Sequence, residues 1–342
     1  MSQAAAGLGP GRPSRTSLVV AAARAFGARE PDESVRNPDW LAERLLGPEE
    51  RALIHEHPLS GALEQDYGQA RQNPLVAGTS NFMLVRTRFI DDHLERAVQN
   101  GATQIVILGA GFDTRAYRFK ERLKSQRIFE VDHHATQEFK KRRLQEALGH
   151  LPDHVTFVEV DFKRDALRDV LRGAGYQATG KTFFIWEGVS MYLTEETVRE
   201  TLRTISQAAP GSSLVMDYSC QATIEAMQRF PELPQHRHTT DWGEPWLFGV
   251  PDGSEREFFQ SCGLELRESI SIVRGAAMNR YLTRADGTRL SRGRGMGAHT
   301  EGNRWARFVK TVRIVAPLLW MGLTRRTKWC AVAELVVPPR GI

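Results

Sequence analysis

At 342 residues, 41 % apolar and 25 % charged, the chain has the composition of an ordinary globular protein with a large core; this excludes wholesale disorder and fits one α/β unit carrying insertions. Its three cysteines, Cys220, Cys262 and Cys330, stand far apart with no C-x-x-C pair, which argues against a disulfide scaffold or a structural zinc and fits a cytoplasmic location. The net charge of +5 is uneven, since residues 271–342 hold 14 Lys/Arg against 3 Asp/Glu and leave the first 270 residues acidic.

Residues 1–14 (MSQAAAGLGPGRPS) are rich in Ala, Gly and Pro and read as a disordered tail without the apolar core of a signal peptide. A helical region over 15–100 follows. Val19–Phe26 and Trp40–Leu46 have helix-like apolar spacing, Asn37-Pro38 breaks the chain between them, and Phe89–Gln99 reads as a further helix. Residues 101–220 then alternate strand and helix. The strands are Gln104–Leu108, Arg127–Val131, Val155–Val160, Lys181–Trp186 and Ser213–Tyr218, and the clearest helices are His134–Leu148 and Glu195–Gln207, the latter capped by Thr194. Strands apolar on both faces and alternating with helices predict a mostly parallel sheet covered on both sides, with its ligand at the strands' carboxyl ends.

Residues 221–342 hold the cap insertions and the final strands. Residues 221–254 read as a polar, Pro-containing insertion, Leu264–Ile272 and Trp329–Val337 as the last strands, and 273–328 as a basic stretch between them. That stretch suits an anionic substrate or membrane surface, or simply a solvated face. No RNA-binding aromatic motif or zinc-finger spacing accompanies it, so nucleic acid is not expected as a partner. Ile314–Leu323 is roughly half the ~20 apolar residues a bilayer requires, so it predicts a buried helix and no transmembrane segment.

Three strand ends carry chemistry. After the first comes Gly109-Ala110-Gly111-Phe112-Asp113-Thr114, a turn whose glycines let backbone approach a ligand. A dinucleotide fingerprint needs a third glycine where Thr114 stands, so the ligand expected lacks a pyrophosphate. Asp132 ends the second strand, where a carboxylate accepts from ribose hydroxyls or, alternatively, caps the next helix. Asp161-Phe162 follows the third, placed to accept from an adenine amino group and to cover the base.

Three segments carry a resemblance: Arg86-Thr87-Arg88-Phe89-Ile90-Asp91-Asp92, the Leu108–Arg115 turn, and Trp186-Glu187-Gly188-Val189-Ser190-Met191-Tyr192 with its Leu193-Thr194-Glu195-Glu196 continuation. Together they resemble the leucine carboxyl methyltransferase family, most closely its bacterial branch of polyketide and other small-molecule O-methyltransferases, from about residue 14 to residue 220. The resemblance implies a class I, Rossmann-like fold with a seven-stranded, mostly parallel sheet, helices on both faces and a substrate cap from the N-terminal helices and insertions. It implies S-adenosyl-L-methionine as cofactor and a small-molecule methyl acceptor as partner. Arg86 would hold the methionine carboxylate, with Arg88 in competition for that role. Gly109, Gly111, Asp132, Asp161 and Phe162 would line the cofactor site, and Glu187 would face the methionine ammonium. The family usually has Leu where Phe162 stands.

Tyr192, just past Glu187, is placed to orient the acceptor oxygen or to pack as a loop aromatic. His236 and His238 are the histidines best placed to act as a base. Neither these nor His133-His134 come with a carboxylate pattern for a metal. A nicotinamide-dependent oxidoreductase, a cofactor-binding protein without catalysis, and a methyltransferase acting on a protein's C-terminal carboxylate are the competing readings.

Overall fold

The computed structural model describes residues 13–230, 239–273, 275–290 and 328–339. His236, His238, the stretch 314–323 and most of the basic segment lie outside the described residues.

Helix α1 (Arg15–Gly27) begins at Ser14, whose hydroxyl accepts from the Ser17 amide at 3.1 Å. Ser14, assigned to the tail by composition, is therefore a helix cap. The Trp40–Leu46 spacing yields only a short 3-10 turn at Ala42–Leu45. Asn37 takes the Asp39 amide (3.0 Å) and Asp39 takes the Ala42 amide (3.1 Å), so side chains replace the helical ladder there. Short helices α2 (Pro48–Leu53), α3 (Pro58–Ala62) and α4 (Tyr67–Ala70) lead to α5 (Pro74–Gln99), which starts 15 residues before the apolar period announces it. Its true start is the Asn73-Pro74 pair, with Asn73 accepting from the Leu75 amide at 3.0 Å. Buried Ser80 and Asn81 early in α5 blur the period.

The sheet comprises β1 (Gln104–Leu108), β2 (Arg127–Asp132), β3 (Val155–Glu159), β4 (Thr182–Trp186), β5 (Ser213–Ser219), β6 (Glu265–Ser271) and β7 (Cys330–Val336), in the order β3-β2-β1-β4-β5-β7-β6. The first five are parallel, and β7 runs antiparallel to both its neighbours. Both faces are covered, as alternate residues of β1 show: Ile105 and Ile107 pack in the core shared with α1 and α5, Val106 and Leu108 in the core on the other side. The covering helices are α6 (Arg115–Arg118), α7 (His134–Leu148), α8 (Leu167–Gly173), α9 (Glu195–Ser206), α10 (Gln221–Arg229), α11 (Glu255–Ser261) and α12 (Ala276–Leu282). The segment read as a polar insertion thus opens with a helix, and it returns to the sheet where Val250 bridges Cys220.

The chain leaves β1 toward β2 and β3, then crosses back to β4 on the other side. That reversal opens a crevice at the carboxyl ends of β1 and β4. No helix among the described residues is long and apolar enough to cross a membrane.

Candidate active site

The crevice is a cavity of about 310 Å³. Arg86, Gly109, Gly111, Asp132, Asp161, Phe162, Glu187 and Tyr192 all line it, whereas Arg88 does not, and His236 and His238 lie outside the described residues.

The glycine turn needs its glycines. Gly109 has φ +62° and Gly111 +43°, and a Cβ on Gly109 would lie 2.2 Å from the Val189 Cγ2. The turn is tied to β2 by Asp132, whose carboxylate accepts from the amides of Gly111 and of His133, the latter at 2.6 Å. The cap of α7 is His133, whose ring accepts from the Ala135 amide at 3.3 Å. Burial raises the Asp132 pKa and the two amides draw it back. A carboxylate offers about four lone-pair sites, so two remain for a ligand. Thr114 spends its hydroxyl on Asp39 (2.6 Å), and α6 behind it is a single turn, so no long helix N-terminus faces the cavity there. At β3, Asp161 accepts from the Lys163 amide (3.0 Å) while its own amide donates to Asp165 (2.8 Å), and half-buried Phe162 packs against the core.

The β4 side is ionic. Glu187 accepts from Arg86 Nε (2.8 Å) and Arg115 Nη1 (2.6 Å), with Arg24 Nη1 3.6 Å away. Burial pushes its carboxyl up, but Arg115, Arg86 and Arg24 outweigh that and hold it well below the usual range. Arg86 also donates through Nη1 to Asp217 (2.6 Å), and Arg115 pairs with Asp91 (2.7 Å) and Asp113. Arg86 Nη2 is buried without a hydrogen-bond partner among the described residues. Arg88 points elsewhere, donating to the carbonyls of Glu33, Ser34 and Arg36. Of the two arginines, only Arg86 belongs to the cavity.

The profile of the leucine carboxyl methyltransferase family matches residues 17–206, more than half of the sequence. The chain belongs to the leucine carboxyl methyltransferase family. It is 34 % identical over 224 residues (62 % of this chain, 73 % of the relative) to the Bacillus subtilis (strain 168) protein YktD. It is 35 % identical over 213 residues (61 % and 70 %) to the Streptomyces coelicolor protein SCO7813. Both are provisionally named S-adenosyl-L-methionine-dependent methyltransferases. A crystal structure of a DUF574 family protein from Streptomyces avermitilis MA-4680 superimposes with a TM-score of 0.45 and 15 % identity, covering 93 % of this chain and 97 % of that one. As a family member the protein is an S-adenosyl-L-methionine-dependent methyltransferase with the class I sheet, and the oxidoreductase reading falls.

The methyltransferase's cavity is also lined by Ser14, Thr16, Tyr192 and Glu244. The Tyr192 ring meets Trp246 edge-on, centroids 6.4 Å apart at 83°. Burial raises the Tyr192 hydroxyl above its ordinary pKa, and the charge of Glu244 adds to this. Glu244 holds the start of α1, accepting from the Ser14 hydroxyl (3.1 Å) and the Arg15 amide (3.0 Å).

Arg24, Arg115 and Asp217 were missed from sequence, although each leaves a signal. Arg24 is the one charge in the apolar run from Leu18 to Gly27 of α1, Asp217 a lone charge within an apolar strand, and Arg115 follows the glycine turn directly. A buried charge needs a partner, so such residues point to an ionic site. The fold also does what the spacing around His133-His134 did not suggest, bringing Glu138 and Glu159 to His134, all three exposed, with the imidazole 2.9 Å from Glu159. A second group, buried His93 with Glu268 and Glu334, takes Arg96 as its cation, with Nη2 2.5 Å from the imidazole.

Proposed function

We propose that this methyltransferase acts on an oxygen atom, carboxylate or hydroxyl, of a small molecule held beside Tyr192 in the cavity. The oxygen acceptor rests on the family likeness, and the observation that carries the cofactor's part of the reading is the orphaned Arg86 Nη2, buried in the same cavity as Asp132 and Asp161. An unpaired buried guanidinium nitrogen calls for an anion, and the α-carboxylate of methionine supplies one. In this reading Asp132 gives its spare lone pairs to the ribose hydroxyls, Asp161 and Phe162 receive the adenine, and the glycine turn lies against the methionine part. Glu187, ionised throughout the neutral range, faces the ammonium.

S-adenosyl-L-methionine supplies a methyl group on a positively charged sulfur. The protein's part is to hold the acceptor oxygen in line with it, at a near-attack distance of about 3–3.5 Å. A carboxylate acceptor needs no base, whereas a hydroxyl does. Tyr192 keeps its proton near neutrality, so its role is donor to the acceptor oxygen rather than base. A protein C-terminal carboxylate is the second reading, favoured by the family match itself.

The test is incubation with methyl-labelled cofactor and a panel of small carboxylic acids, phenols, alcohols and C-terminal peptides. Label released by mild base marks an ester, and base-stable label on a hydroxyl compound an ether. Transfer confined to peptides would establish the second reading, and transfer confined to nitrogen or carbon would overturn both.

A further inference from the structure

We propose that Asp217 is the positioning residue of the cofactor site: it fixes Arg86 so that one guanidinium nitrogen is left free for the methionine carboxylate. The inference rests on the reading of Arg86 given above.

Asp217 sits in β5, 2 % exposed, and does not line the cavity, so it acts through its neighbours. One carboxylate oxygen accepts from Arg86 Nη1 at 2.6 Å and the other from the Gly188 amide at 2.5 Å. A third tie joins the same elements, the Ser190 hydroxyl donating to the Asp217 carbonyl at 3.1 Å. Two cavity parts distant in sequence, α5 and the turn after β4, are thereby set by one side chain. Gly188 adopts φ +70°, and a Cβ there would stand 3.8 Å from Arg86 Nη2. The free nitrogen therefore lies over the turn that Asp217 holds.

Glu187 alone does not fix this geometry. It binds Arg86 through Nε only, and Arg115 and Arg24 share its charge. With Nε and Nη1 both committed, the planar guanidinium cannot turn, and Nη2 is the sole donor nitrogen left over. An asparagine at 217 would keep the shape but offer an NH₂ group to one of two facing donors, so either Arg86 or the Gly188 amide would be displaced.

The experiment compares wild type, D217N and R86Q for binding of two ligands by calorimetry: S-adenosylhomocysteine, which carries the amino-acid carboxylate, and 5′-methylthioadenosine, which lacks it. Loss of a charged hydrogen bond predicts that D217N weakens S-adenosylhomocysteine by about tenfold or more. Binding of 5′-methylthioadenosine should stay within about twofold, and it serves also as the check on folding. R86Q should show the same selective loss. If R86Q loses no preference, the reading of Arg86 fails. If R86Q loses it and D217N does not, or if D217N weakens both ligands alike, Asp217 is structural and the proposal is overturned.

Discussion

At the β2–β3 end of the cavity, Asp132 and Asp161 each stand at a strand's carboxyl end, bound to backbone amides of their own turns. At the β4–β5 end, Glu187 and Asp217 are locked to arginines delivered by α1, α5 and α6. A carboxylate held by amides keeps lone pairs for a ligand and depends on little beyond its turn. A carboxylate held by arginines is the counter-charge of buried cations, so its neighbours depend on it in return. The first arrangement offers recognition at little structural risk. The second makes folding and binding inseparable, because removing one member strands buried charge.

The sharpest way to break this contrast is Glu187→Gln. It leaves Arg24, Arg86 and Arg115 short of a counter-charge in a site where the Glu187 side chain is 7 % exposed. Losing one partner of a buried ionic group costs about 3–5 kcal/mol, to be read as a large drop in the urea midpoint. The pH dependence has a definite sign. Glu187 titrates below its ordinary 4.5 when folded, so its contribution is complete above that value and is lost as pH falls beneath it. E187Q should therefore flatten the acid limb of stability against pH. An unchanged urea midpoint and acid limb would show the arginines to be satisfied without it.

Asp132→Ala should do the opposite, leaving the fold and removing the ligand. The Gly111 and His133 amides lose an acceptor, at about 1–2 kcal/mol in all, while the loss of two ribose hydrogen bonds to a charged group weakens cofactor binding by about 100-fold or more. Calorimetry with S-adenosylhomocysteine alongside urea denaturation separates the two effects. Affinity within a few-fold of wild type would show that Asp132 serves the glycine turn alone.

The same contrast explains what could be read in the sequence. The strands β1 to β5 and α7 were legible within a residue or so because apolar runs and short turns alternate without interruption. The strand-end residues Gly109, Asp132 and Asp161 were legible because a parallel sheet puts its ligand where its strands stop, so place along the chain already gives place in the site. The ionic end follows no such rule. Arg24, Arg115 and Asp217 meet Glu187 or Arg86 across contacts of more than 70 residues, which no local period encodes; Arg86 and Glu187 themselves came from the family resemblance. The start of α5 was hidden for a related reason, since its first turns carry polar residues that tertiary burial makes acceptable.

Tyr192→Phe is the mildest change and tests a cavity residue that belongs to neither set of carboxylates. The hydroxyl's side-chain hydrogen-bond partners are Trp246 and Thr16, neither of them in the ionic network or the glycine turn, so cofactor affinity should not move. Turnover should fall by about 2- to 10-fold, the worth of one hydrogen bond to the acceptor oxygen. The shape of the pH profile carries the finer information. Burial raises the Tyr192 hydroxyl above its ordinary 10, so across neutral pH it holds its proton and donates. Its loss should therefore lower the profile by the same factor everywhere between about pH 6 and 9. A base acting in that range would instead impose a rise with pH that the phenylalanine variant abolishes. A profile that keeps its shape and loses only height identifies Tyr192 as the donor that orients the acceptor, and leaves any proton removal to another group.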